Sequence, residues 1–173
     1  MLPAQQVRVR KHGAAYRSPQ RSASGPAKPL QWARRYAVGQ LHVPVTLRNT
    51  RELVLAQLGH LAAAQVHTLE TEALVDTGAM HLVVPSPLAE QLGLVRLRSQ
   101  AVTMADGRDG VYDQTEPVTV EVLGRAYALS ALVMGHTVLL GAIVLEGLDL
   151  AVDPVRQRLM PNLGTWDRPR FRA

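Results

Sequence analysis

Cysteine is absent from the 173 residues, aromatic side chains make up only 4% of them, and charged ones 19%. Without a thiol there can be no disulfide staple, no thiolate zinc or iron–sulfur site and no cysteine nucleophile. No stretch approaches the roughly 18 to 20 consecutive apolar residues of a membrane span, and the start lacks the apolar region of a secretory signal. A cytoplasmic chain with no membrane partner is expected. The six histidines form no His-Glu-x-x-His and no i, i+4 pair, so no metal site is expected. A P-loop, a dinucleotide fingerprint and a Gly-x-Ser-x-Gly elbow are missing as well.

Acidic residues are missing from one region in particular. Residues 1–40 hold eight Lys and Arg and not one Asp or Glu, together with Pro3, Pro19, Pro26 and Pro29. Such a composition marks a basic, disorder-like extension with no sustained periodicity. Residues 164–173 form a second short basic tail, with Arg168, Arg170 and Arg172. The intervening part is acidic, so the high overall isoelectric point belongs to the ends. The basic arm alone offers anything to nucleic acid, and no nucleic-acid function is assigned to the chain.

From Leu41 the text changes. Leu41, Val43 and Val45 alternate with His42, Pro44 and Thr46, the period-2 mark of a strand that Asn49-Thr50 ends. Leu53 to Ala64 is compatible with a helix or with a strand pair. Val66 to Val75 reads as a strand running into Asp76-Thr77-Gly78, and His81 to Val84 as a short strand leaving it. Ser86 as N-cap, Pro87 in first position and Gly93 after the end predict a helix over 87–92. Asp106-Gly107 and Asp109-Gly110 between apolar runs predict a hairpin. Val118 to Val122 and Tyr127 to Val133 form another, turning at Gly124-Arg125. Thr137 to Gly141, a helix over 142–148 and a strand pair near Leu150–Val152 and Arg158–Met160 close the chain. Strands at this spacing predict a mostly β, small barrel-like domain with one or two short helices.

The chemistry concentrates in Ala73-Leu74-Val75-Asp76-Thr77-Gly78-Ala79. An acid placed directly after an apolar strand, in a turn that glycine permits, is either presented at the end of a buried strand or hydrogen-bonded to its own backbone in an Asx-type turn. His81, five residues on, reads as a packing residue and is left outside the site.

Here the sequence resembles the retropepsin-like (retroviral-type) aspartic proteases and their bacterial single-domain members. Leu74-Val75-Asp76-Thr77-Gly78-Ala79 is similar to their catalytic loop, and Val83-Val84-Pro85 with Leu92-Gly93-Leu94 to the strand and helix after that loop. Val102-Thr103-Met104-Ala105-Asp106-Gly107-Arg108 stands where their flap hairpin is expected. Leu139-Leu140-Gly141 resembles their second apolar-apolar-Gly element, and Leu145 to Leu150 with Val152-Asp153-Pro154 their closing helix and hairpin. The resemblance covers about residues 41–163 and implies a small closed, dimeric barrel acting as an aspartic endopeptidase on polypeptide substrate without a cofactor.

The same resemblance implies the roles. Asp76 is the catalytic acid and base, and since one chain carries one such motif, a homodimer would set two Asp76 carboxylates face to face across a two-fold axis. Thr77 would bind the partner loop at the axis, and Gly78 would let substrate and the opposing loop approach. Ala79 replaces the hydroxyl residue common in pepsin-like enzymes, which implies activity at weakly acidic pH instead of below about pH 3. Met104, Ala105, Asp106 and Gly107 would form the flap over the substrate, and Leu139, Leu140 and Gly141 would support the catalytic loop. Met80 and His81 depart from the acidic residues usual in retroviral enzymes, and Asp106-Gly107-Arg108-Asp109 from their apolar flap tip, so substrate preference does not carry over. The alternative is a catalytically inactive, protease-like module that binds peptides or serves assembly.

Overall fold

The computed structural model describes residues 40–104 and 107–162. Most of the basic arm, the whole basic tail, and Ala105 and Asp106 of the expected flap lie outside the described residues. Along the chain come β1 (Leu41–Asn49), α1 (Thr50–Gln57), a 3-10 turn (Ala63–Gln65), β2 (Thr68–Val75), β3 (Leu82–Val84), α2 (Ser86–Gln91), β4 (Arg96–Thr103) and β5 (Asp109–Val122). There follow β6 (Arg125–Val133), β7 (Val138–Leu140), α3 (Ala142–Gly147), β8 (Leu150–Asp153) and β9 (Arg158–Pro161).

Six strands close into a ring in the order β1-β2-β7-β3-β6-β5, with β5 returning to β1. Closure leaves the ring without edges and gives it an enclosed core. Along β1, Val43, Val45 and Leu47 point inward with the period of two read from the sequence, and Leu47 is wholly buried. Val118, Val120 and Val122 do the same from the second half of β5. Leu82, Val84, Val138 and Leu140 fill the centre from the two short strands, and Val144 of α3 and Leu148 just after it seal it.

β5 is a single long strand where the sequence suggested two. Its first half pairs with β4, outside the ring, and its second half with β1 and β6. The register with β6 shifts between Gln114 and Pro117. Proline has no N–H for the ladder. At this irregularity the buried Thr115 hydroxyl accepts from the Ala131 backbone N–H at 3.2 Å, replacing a ladder bond with a side-chain one.

The ambiguous stretch after β1 is helical at its start. Asn49, fully buried, caps α1 by accepting from the Glu52 N–H at 3.3 Å, while its amide donates to the carbonyls of Leu92 and Gly93. One side chain thus starts one helix and satisfies the end of another. For α2 the expected cap is displaced by one residue. Pro85 occupies the N-cap in an extended conformation, and Ser86 is the first helical residue, its hydroxyl turned to Glu90 at 3.0 Å. The other end is as expected: Gly93 follows the helix at φ +61°, with Gly93 N–H on Glu90 O and Leu94 N–H on Ala89 O.

Candidate active site

β2 and β7 lie side by side and parallel, with Val75 opposite Leu140. Parallel strands that stop at the same level bring the residues that follow them together, here Asp76 and Gly141. Asp76 takes its backbone bond from this neighbour, donating its N–H to Leu140 O at 3.1 Å. The turn after it is closed twice: Ala79 N–H donates to Asp76 O at 3.2 Å, and Gly78 N–H to Asp76 Oδ1 at 2.9 Å. The Asx-type turn read from the sequence is present. The Asp76 carboxylate is oriented by its own loop, and the residue stands half-buried at the end of an apolar strand.

The loop continues over the start of α3. Ala142 N–H donates to Ala79 O at 2.8 Å and Ile143 N–H to Met80 O at 3.1 Å, so orphan donors of the helix start hold the loop down. Gly141 makes this approach possible, since a Cβ there would stand 2.5 Å from the carbonyl oxygen of His81 and the carbonyl carbon of Met80. Leu140 lies fully buried beneath, and Leu139 reaches the groove above.

That groove has a volume of about 610 Å³. Asp76, Gly78 and Ala79 line it, together with Val102, Thr103 and Met104 from the β4–β5 hairpin. The hairpin tip is closed by Met104 N–H on Arg108 O and Gly107 N–H on Met104 O, and Gly107 takes φ +81° in the turn. Asp76 is the single carboxylate among the described lining residues. Thr77 and Gly78 are exposed at the outer edge of the loop, and Thr77 borders a second hollow of about 440 Å³ beside Leu145, Leu150 and Val152.

Sequence reasoning missed part of this wall. His81, read as a strand residue outside the site, sits in a bend before β3 and lines the groove, as do Gln100, Leu132 and Met134. Their contribution depends on strands far apart in the chain, and no local pattern marks it. Among the described residues no group of three or more His, Asp or Glu side chains could hold a metal ion.

A family model described as "gag-polyprotein putative aspartyl protease" matches residues 62–147. The matched span runs from before β2 to the end of α3, and so takes in the Asp76 loop, the β4–β5 hairpin and Leu139-Leu140-Gly141. The match supports a retropepsin-like aspartic protease family for this chain. Among solved structures it is similar to the EIAV protease in complex with the inhibitor HBY-793, at 20% identity and a TM-score of 0.46, over 65% of this chain and 91% of that one. None of the curated proteins matches it. In this retropepsin-like domain the strand ahead of the matched span, β1, completes the ring, and the β8–β9 hairpin comes after it. No helix among the described residues is long and apolar enough to cross a membrane.

Proposed function

We propose that this chain is an aspartic endopeptidase that hydrolyses peptide bonds as a homodimer, with residues 41–163 as the protease domain. One observation carries the reading: a loop-oriented Asp76 in a groove that the β4–β5 hairpin also lines, with no second carboxylate among the described lining residues. Water-mediated peptide hydrolysis of this kind needs two carboxylates that share a proton, because like charges about 3 Å apart do not both ionise. A two-fold partner supplies the second Asp76, and the exposed Thr77–Gly78 edge of the loop is where such a partner would meet it.

In the reaction the ionised Asp76 takes a proton from a water molecule whose oxygen attacks the scissile carbonyl carbon. The protonated Asp76 of the other copy gives its proton to the carbonyl oxygen. The tetrahedral diol then collapses: the C–N bond breaks, the leaving nitrogen receives a proton from the protonated Asp76, and a diol hydroxyl gives its proton to the ionised one. The two acids titrate as a coupled pair. The Gly78 N–H on Asp76 Oδ1 fixes the plane of each carboxylate, and the β4–β5 hairpin covers the extended peptide and excludes water.

The test is cleavage of an unstructured peptide library at weakly acidic pH by wild type and Asp76→Asn, with fragments read by mass spectrometry. Products that disappear in Asp76→Asn support the reading. No products from folded, dimeric wild type would overturn it in favour of a module that only binds peptides.

A further inference from the structure

We infer that His81 sets substrate preference, selecting polypeptides that carry an acidic residue close to the scissile bond within an otherwise apolar sequence. This deepens the proposed function and rests on it for the location of the scissile bond. The groove is lined mainly by apolar side chains, among them Met80, Val83, Val102, Leu132 and Met134. Apolar walls favour apolar substrate side chains and reject unpaired charge. Among the described lining residues, His81 is the single basic side chain and Asp76 the single acidic one.

The position of His81 is rigid. Its backbone lies over Gly141, where a Cβ would come within 2.7 Å of its nitrogen, and the next residue, Leu82, is wholly buried between Leu140 and Ala131. With the backbone held in this way, every substrate meets the His81 side chain from the same point on the groove wall. Its ring has no hydrogen bond or ion pair with any described residue, whereas His67 is paired with Glu52 at 2.8 Å. The imidazole N–H groups therefore remain for a ligand. A carboxylate is the acceptor that suits them best, since hydrogen bonds between charged groups are about twice as strong as neutral ones. Asp76 repels a substrate carboxylate elsewhere in the groove, which confines the preference to the His81 end. In a two-fold dimer the same selection acts on both sides of the scissile bond.

The experiment uses three synthetic peptides that share a central Leu-Leu and carry Glu, Ala or Lys two residues from it on each side. Wild type, His81→Gln and His81→Glu full-length chains are compared for kcat/KM at weakly acidic pH, with circular dichroism to confirm folding. Wild type should cleave the Glu peptide about tenfold faster than the Ala peptide. His81→Gln should level the two, and His81→Glu should favour Lys. An unchanged ranking in His81→Glu overturns the inference. Equilibrium binding of the same peptides is measured in the Asp76→Asn background, alone and with His81→Glu. If wild type cleaves nothing but the binding order still inverts with His81→Glu, the protease reading fails and the His81 assignment stands. If the peptides fail to bind there, or bind with one order in both variants, the assignment is wrong.

Discussion

Gly141 lies directly beneath His81, so close that a Cβ on the glycine would stand 2.5 Å from the histidine carbonyl oxygen. Both atoms in that contact belong to backbone or begin a side chain, so neither can swing away. Gly141→Ala is expected to destabilise the domain by about 1–3 kcal/mol, the range for overpacking a tight site. Urea unfolding followed by circular dichroism checks it, and any peptidase activity should fall further than stability because the Asp76 loop is lifted. Wild-type stability in this variant would mean that the loop is not seated as described.

The proposed homodimer makes a quantitative forecast about mixing. Asp76→Asn chains should assemble with wild-type chains and inactivate them, since each dyad needs two Asp76 carboxylates. After unfolding and refolding together, the rate should follow the square of the wild-type fraction. A linear dependence would show that one Asp76 is enough. Sedimentation of the same samples should give a single dimeric species.

Arg125 and Asp149 form a buried ion pair, 3.2 Å apart with each side chain 8% exposed. Arg125 also donates to the carbonyls of Leu148 and Asp149, tying the start of β6 to the end of α3, and Asn162 donates to Asp149 Oδ1 at 2.7 Å. Removing one partner takes a buried counter-charge away from the other. Arg125→Leu should therefore cost about 3–5 kcal/mol. The double variant Arg125→Leu, Asp149→Asn should recover part of this, because asparagine is neutral and tolerates the φ of 53° at that position. A double variant no more stable than the single one would contradict the pairing.

Two carboxylates contribute to the acid sensitivity of the fold. The Arg156 backbone N–H, followed by its guanidinium, holds Asp153 below the usual carboxylate range against a smaller opposing effect of burial, with the Val155 N–H adding to it. Burial pushes Glu52 up, but the His67 N–H and imidazole together with Arg51 outweigh it, and the net displacement is downward. A lowered folded value means that the ionised form is the one the fold favours. Each contribution is thus present above the ordinary carboxylate range near pH 4 and is lost as pH falls through the folded values. Thermal stability should hold at weakly acidic pH and drop below about pH 4. Asp153→Asn should lower stability at neutral pH and shallow the acid drop. A melting temperature with the same acid slope in Asp153→Asn would refute its part.

Some of this was readable from the chain alone because it is local. The alternation of Val43, Val45 and Leu47 is a property of one strand, Gly93 ends its helix through a backbone angle that glycine adopts freely, and Asp76 follows an apolar strand in plain view. Other features were hidden for an equally physical reason. Ser86 seemed the better cap, yet the fixed backbone of Pro85 took that place. Asn49 looked like the end of a strand, whereas its amide also satisfies carbonyls of Leu92 and Gly93, more than forty residues away.

What the sequence determined by itself was the set of strands, the loop that carries Asp76 and the family signature around it, since these depend on neighbours within a few residues. The tertiary structure decided that β5 is one strand serving two partners, that Gly141 lies under the Asp76 loop, and that His81 and Gln100 line a groove with Asp76. Those relations come from ring closure and from the parallel pairing of β2 with β7, which bring together residues separated by up to seventy-five positions. Such contacts are selected by burial of the whole core, and no stretch of sequence contains them on its own.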